Sequence, residues 1–328
     1  MAGSGTRATA QDYNNIQAVI SSVMGIGTGT TGYGQPIASS PVSQSTTMTS
    51  TQWDQLRDDL TKARVHQTNT GVSTASTTIG SPWQTLFDVT PSTVVQEAIR
   101  LQYQDFADNG VNANRAVVAA AQTTSGVSLT STTRGTNWGT SALGASITHT
   151  VTLTFAGYTS GSLTVPAADH IRCFFNAGGS IQITASRTGA AATTKDTDWT
   201  NMLSGFGTLN FRASSTNITG GVNAGGSVGS AVGFQTLTIG AAASNILTQS
   251  SSVTQYAENR YLVGVSRPTA NTLAFTITFT DNDAGDQTGL GPPVDEPVTG
   301  TITSSCLCTR PSGANVDVPA PTGSATAL

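Results

Sequence analysis

The chain has 328 residues, of which 37% are hydrophobic and only 10% charged, with a net charge of -4. Two lysines, Lys62 and Lys195, and scattered arginines exclude a surface that tracks nucleic acid, which needs clustered cations to displace counterions. The small net charge is not that of a charge-swollen disordered chain, and no apolar run is long enough to span a bilayer.

Ser, Thr, Asn, Gln and Gly stand in place of the missing charge, a composition suited to many short strands with a neutral polar surface. The opening run, MAGSGTRATAQDYNN, lacks the basic-then-apolar order of a secretory leader, so cytoplasmic assembly is expected. Residues 11–24 then place Tyr13, Ile16, Ile20 and Val23 at helical spacing, and Gly25 is a natural stop. Gly27, Gly29 and Gly32 follow in GIGTGTTGYG and spell G-x-G-x-x-G. A dinucleotide site needs a strand before such glycines and a helix after them. Here a helix precedes them, and Pro36 with a polar stretch follows, so a connector is expected and no nucleotide cofactor. Residues 52–66 put Trp53, Leu56, Leu60 and Ala63 on one face, with Thr51 and Asp54 as a capping-box pair. A third helix is expected over 91–108, entered at Pro91 and striped by Val95, Ile99, Tyr103 and Phe106. The run NRAVVAAAQ adds a helical turn or two.

Near residue 146 the period changes from helical to alternating. SITHTVTLTFAGY reads as a strand. HIRCFFNAGGSIQITASRTG reads as a short apolar helical turn, a tight turn and a strand, and DTDWTNMLSGFGTLNFRAS as a capped helix around Trp199 and Leu203 followed by a strand. Further strands are expected at GFQTLTIG, NRYLVGVSR, TLAFTITFTD and VTGTITSSCL, the spacing of an all-β sandwich or barrel. The last of these carries Cys306 and Cys308 on one face as small buried thiols, since a zinc site needs about four ligands. Residues 311–328 read as an extended tail.

Two groups of these phrases resemble a family of virion structural proteins of tailed phages, marine cyanophages in particular. One is DYNNIQ with GTGTTGYGQPIASSPVSQSTTMTSTQWDQLRDDL. The other is RCFFNAGGSIQITASRTG with KDTDWTNMLSGFGTLNF, FTITFTDND and DEPVTGTITS. The likeness runs over nearly the whole chain. It implies a structural component of tail, neck or fibre, located in the virion after assembly in the host cytoplasm, and it implies no catalytic residues.

The sharper chemical readings are weak. The histidines are His66, His149 and His170. His66 ends a helix, where a cation suits the dipole; His149 is expected to face solvent; Asp169-His170 is adjacent in sequence without making a dyad. No G-x-S-x-G elbow occurs, and no acidic cluster marks a glycosidase. Asp281, Asp283 and Asp286 with Gly285 resemble the first half of a calcium loop, but Pro292 stands where an EF-hand has its bidentate Glu. A polar hairpin tip accounts for them equally, and no metal is assigned. Trp53, Trp83, Trp138 and Trp199 each lie among apolar neighbours, and core or interface packing is the reading for at least three of them.

The reading is an α+β protein with four segments: a docking helix-loop-helix at 1–70, a connector with one long helix at 71–145, a β-sandwich-like domain at 146–310 and a tail at 311–328. It is expected to be non-enzymatic, without cofactors, and to self-associate and dock on other virion proteins. It is expected neither to bind nucleic acid nor to insert in a membrane. The docking face is assigned to Tyr13, Ile16, Ile20, Trp53, Leu56 and Leu60, because a short helical pair has little core of its own. A fibre head that binds a receptor or host-surface glycan is the rival, and a tail depolymerase a third reading.

Overall fold

The computed structural model describes residues 9–44, 49–68, 107, 121–134, 145–189, 193–221, 225–283 and 298–328. Apart from Ala107, the expected 91–108 helix lies outside them, as do most of the Ala-rich run, Trp83, Trp138, Gly285 and Asp286.

Among the described residues four helices and thirteen strands make an α+β fold, mostly antiparallel β, with helices at the N-terminal side of the sequence. Helix α1 spans Ala10–Met24, α2 Ser50–Thr68, α3 Ala167–Asn176 and α4 Thr194–Phe206. The strands are β1 Gln122–Arg134, β2 Ala145–Thr154, β3 Tyr158–Ser160, β4 Leu163–Val165, β5 Ser180–Thr188, β6 Thr208–Phe211, β7 Thr216–Thr219, β8 Gly226–Val228, β9 Ser244–Ser250, β10 Arg260–Thr269, β11 Thr272–Asp281, β12 Gly300–Pro311 and β13 Thr322–Ala327. The chain divides into two compact units. Met1–Thr123, Gly157–Gly178 and Arg310–Pro319 form the first; Thr124–Ala156, Gly179–Thr309 and Ala320–Leu328 form the second. The sequence segmentation cut the chain into consecutive blocks, whereas both units are assembled from three separated pieces. Gly157–Gly178, inside the stretch read as the β domain, belongs with the N-terminal helices.

In the first unit both N-terminal helices begin with reciprocal caps. Thr9 Oγ1 accepts from the Asp12 amide at 3.2 Å, and Asp12 Oδ2 accepts from the Thr9 amide at 2.9 Å. Helix α2 starts earlier than the Thr51–Asp54 pair predicts. Thr49 and Gln52 make the box instead, with the Thr49 amide donating to Gln52 Oε1 at 2.8 Å. The stripes read from sequence face one core: Tyr13, Ile16, Ile20, Val23 and Leu60 are fully buried, and Tyr13 meets Trp53 edge-on at 5.2 Å. The polar segment after the glycines lies against both helices. Asn14 exchanges two bonds with the Val42 backbone, at 2.8 and 2.9 Å. The buried Asp59 carboxylate accepts from the Ala38 and Ser39 amides at 2.9 and 2.8 Å and pairs with Lys62 at 3.1 Å. Backbone that would otherwise be buried without partners is satisfied in this way.

The second unit is a pair of antiparallel sheets. One runs β1-β12-β5-β6-β7, the other β13-β2-β11-β10-β9-β8, while β3-β4 is a separate hairpin in the first unit. Alternation sets the faces. Ile147, His149, Val151 and Leu153 of β2 and Leu273, Phe275, Ile277 and Phe279 of β11 point inward and are buried. The β2–β11 register runs unbroken from Thr272↔Thr154 to Asp281↔Ala145 and puts Thr276 opposite Thr150 and Thr278 opposite Thr148 on the other face. Such cross-strand pairs contribute roughly 0.2–1 kcal/mol each, which is what the Thr-rich runs supply. Phe211 of one sheet meets Phe275 of the other edge-on at 5.6 Å. Trp199, Leu203 and Phe206 of α4 are buried, and Phe206 contacts Tyr261 at 5.4 Å.

Strands β4, β7, β8 and β9 lie where the sequence analysis expected none, and three further elements depart from expectation. Strand β1 lies in the stretch read as connector. One face is exposed and the other, at Ser128, Thr130 and Thr132, is half-buried and polar, so its sequence, QTTSGVSLTSTTR, has no apolar alternation to betray it. GFQTLTIG is not a strand: Phe234–Thr236 is a 3-10 turn closed by Thr236 Oγ1 on Gly233, and Phe234 packs under the Arg267 guanidinium at 4.8 Å. The tail supplies β13, paired with β2 from Thr322↔Thr154 to Ala327↔His149.

Candidate functional site

The glycine loop sits at the C-terminal end of α1, with the polarity of its backbone reversed from that of a phosphate cradle. The amides of Tyr33, Gly34 and Gln35 donate to the Val23, Gly25 and Met24 carbonyls at 2.8, 2.9 and 2.7 Å, satisfying groups that the helix end leaves open. The loop's outward carbonyls meet cationic and amide donors of α3. Arg172 Nη1 donates to the Ile26 and Thr31 carbonyls at 2.6 and 2.5 Å, and Asn176 Nδ2 to Thr31 at 2.9 Å. Asp169 orients Arg172 from one turn earlier, at 2.7 Å. A phosphate would need converging N–H groups at a helix N-terminus. Here the loop offers oxygen at a negative helix end.

The six residues assigned to docking are brought together, but inside the first unit. Tyr13, Ile16, Ile20 and Leu60 have no exposed surface, Trp53 keeps 2% and Leu56 3%. This corrects the docking assignment. The 33–42 segment, with Tyr33 and Val42 buried, adds to a core that the two stripes alone were not expected to form.

The histidines are also absorbed by the scaffold. His66 is not a surface cation: it is fully buried, its Nε2 donates to the Ala177 carbonyl at 2.9 Å, and burial pulls its pKa down to about 4, so it is neutral. His149 does not face solvent. It lies between the sheets, with Nε2 at 2.8 Å from Thr132 Oγ1 and Nδ1 at 2.8 Å from Ser304 Oγ, and burial lowers its pKa as well. His170 Nε2 donates to the Pro319 carbonyl at 3.0 Å. Cys173, Cys306 and Cys308 are buried thiols; burial, with Cys308 alongside, pushes Cys306 up to about 12.

Around α4 the second unit carries buried charge. Arg187 and Asp196 are paired, and Arg187 also donates to the Asp196 carbonyl at 3.1 Å and to Thr200 Oγ1 at 3.0 Å. Lys195, fully buried, holds both Asp281 carboxylate oxygens, at 3.0 and 3.1 Å, and the Asp283 carbonyl at 2.9 Å. Asn259 Oδ1 accepts from the Asn282 and Asp283 amides at 3.0 and 3.2 Å. The acidic segment is thus tied down by an internal cation as far as Asp283. No group of three or more metal-ligating side chains occurs among the described residues.

Beside this cluster lies a cavity of about 260 Å³, entirely within the second unit and lined by Asp198, Asn201, Met202, Gln249, Ser252 and Tyr256 among others. Asp198 is 6% exposed. Its Oδ1 accepts from Ser251 Oγ at 2.8 Å, while its Oδ2 has no hydrogen-bond partner among the described residues. Burial pushes this carboxyl up, the Ser251 bond opposes the rise and the Asp283 charge adds to it. Sequence reasoning passed over Asp198 because in KDTDWTN it reads as an ordinary helix-start acid. Its partner Ser251 and the lining Gln249 and Tyr256 lie some fifty residues further on.

No protein-family model matches the chain, and no curated protein or solved structure matches it. No helix among the described residues is long and apolar enough to cross a membrane.

Proposed function

We propose that the chain is a non-enzymatic structural subunit of a tailed-phage particle, a tail, neck or fibre component that self-associates and docks on other virion proteins. The observation that carries the reading is the joint between α3 and the glycine loop. Two of the phrases that carry the resemblance, one containing GTGTTGYGQ and the other RCFFNAGG, interlock through Arg172 and Asn176. Residues a catalytic reading would recruit, His66, His149 and His170, and Asp281 of the calcium-loop reading each hold scaffold bonds. Docking then uses a surface other than the Tyr13–Leu60 stripes. The test is immunogold electron microscopy and peptide mass spectrometry of purified particles from infected cells that make this protein. Stoichiometric presence at tail, neck or fibre is expected; absence from washed particles overturns the proposal.

A further inference from the structure

We propose that the free edge of β13 pairs antiparallel with β13 of a second copy of this chain, continuing one sheet across a two-fold axis. The proposal deepens the self-association in the proposed function and rests on it. Among the described residues β13 is the outermost strand of its sheet, and all of it but the half-buried Ala325 is exposed. Two sets of backbone bonds fix which of its groups point outward. The Thr148 and Leu328 backbones exchange bonds at 3.1 and 2.8 Å, in register with the β2–β13 ladder. The Phe155 amide donates to the Asn271 carbonyl at 2.9 Å, in register with the β2–β11 ladder. Even-numbered residues of β2 therefore bond toward β13 and odd-numbered ones toward β11. By the alternation of an antiparallel pair, Thr322, Ser324 and Thr326 turn their N–H and C=O to β2, and Gly323, Ala325 and Ala327 turn theirs to the free edge.

These outward groups are complementary to themselves. About a two-fold at Ala325, that residue faces its own copy and Gly323 faces the copy of Ala327, and each such pair exchanges both backbone bonds. A charged side chain near the axis would meet its own copy, and the run VPAPTGSATAL, residues 318–328, carries none. On the outer face Ser324 falls opposite the copy of Thr326. That extends a row of hydroxyls in which Thr326 already faces Thr150, and Thr150 faces Thr276. The devices that shield an exposed edge are absent: Thr322–Ala327 holds no Lys, no proline and no break in register. The strand is also held ready. A Cβ on Gly323 would sit 2.2 Å from the Val127 carbonyl oxygen, so the glycine lets β1 press on β13 and fix it. Strands β7 and β8, at the far ends of the two sheets, span four and three residues, too few for a comparable ladder.

A six-residue ladder is small beside the roughly 1,200–2,000 Å² of stable interfaces, so pairing is expected at about 100 µM rather than in dilute solution. The test uses the full chain at about 30 and about 600 µM, with sedimentation equilibrium and amide hydrogen exchange read residue by residue. The amides of Gly323, Ala325 and Ala327 are expected to exchange fast in the dilute sample and at least about fivefold more slowly in the concentrated one. Those of Ser324 and Thr326, bonded to β2, are expected to be slow in both. Ala325→Pro removes one outward N–H without touching a β2 bond, and Ser324→Lys sets a charge beside the axis. Each is expected to weaken the dimer at least about tenfold, with the dilute melting temperature kept within about 2 °C. The lysine variant guards against a proline that merely loosens β13. A monomer across the whole range, edge amides that ignore concentration, or a dimer that survives both substitutions overturns the proposal. So does a dimer lost on Leu129→Lys instead, which moves the contact to β1, and so do edge amides protected only when another virion protein is added. A chain present in tail, neck or fibre whose edge amides never respond sinks this pairing and leaves the virion reading standing. Concentration-dependent protection in a chain absent from particles supports the pairing and sinks the virion reading.

Discussion

His66 shows how one side chain couples stability to pH. An ordinary histidine titrates near 6.5, and this one near 4 because its charged form would be buried. Its folded pKa is below the unfolded value, so acid favours the unfolded chain. The stabilisation is complete above about pH 6.5, fades as pH falls and is exhausted near pH 4, with roughly 3 kcal/mol as its upper bound. Melting curves of wild type and His66→Gln between pH 7.5 and 4 should therefore converge or cross as the wild type loses more, since Gln keeps a donor for Ala177 without titrating. Parallel curves would remove His66 as the cause. Arg172 is the second sensitive residue. Arg172→Ala removes two carbonyl contacts that lie 141 and 146 residues away in sequence, leaving Thr31 to Asn176 alone and Ile26 without its cationic donor. A loss of about 2–4 kcal/mol is expected in chemical denaturation, with Arg172→Lys restoring only part because an ammonium lacks the planar fork. Neither residue could be ranked from sequence. His66 reads as a helix-end cation until Ala177 is known to lie beside it, and Arg172 reads as a polar position on an apolar helix.

At the scale of elements, the glycines of the loop are not equivalent, although the motif presents them alike. Gly32 has φ of 103°, and a Cβ there would sit 1.8 Å from the Ile26 carbonyl oxygen. Gly29 has φ of 56°, and a Cβ there meets nothing within 4 Å. Gly29→Ala should cost only the left-handed penalty of about 1–2 kcal/mol. Gly32→Ala should displace the loop from Arg172 and lower the midpoint of unfolding far more. Equal effects of the two substitutions in matched denaturation curves would contradict this geometry. The elements that were legible had strong local signals. Strands β2, β5, β10, β11 and β12 alternate, and α1, α2 and α4 carry stripes and caps. Strand β1 was not legible because its half-buried face is lined by Ser and Thr rather than apolar residues. The stretch GFQTLTIG was misread because Thr236 and the Arg267–Phe234 contact hold it as a turn, a tertiary effect on residues with high strand propensity.

At the scale of the molecule, the burial of Trp53 changes what its removal should do. Trp53→Ala opens a core cavity at about 3–5 kcal/mol rather than an interface. Loss of near-ultraviolet circular dichroism and of helicity at reduced temperature is expected, in step with any change in sedimentation. Dissociation of an oligomer with the tertiary spectrum intact would return Trp53 to an interface. The two interleaved units also predict the behaviour of a fragment. A piece covering 146–310 lacks β1 and β13, strips Thr132 from His149 and carries Gly157–Gly178 away from its own unit. It should melt at a lower temperature and less cooperatively than the full chain by calorimetry. A sharp transition at the full-length temperature would show that β1 and β13 are dispensable.

By itself the sequence determined the fold class. Periodicity changes near residue 146, and helix stripes and strand alternation are consequences of 3.6- and 2-residue repeats that any buried face must obey. It also determined that the glycine motif follows a helix, which is enough to set aside a dinucleotide loop. Only the tertiary structure decided where those faces are buried, because burial is a property of pairs of segments and not of one. The stripes of α1 and α2 call for a covering surface; that the chain's own 33–42 segment contributes to it, through Asn14 and Asp59, is settled by contacts 20 to 28 residues apart. The same holds for Asp198, whose carboxylate is buried in α4 with one oxygen bonded to Ser251, 53 residues on.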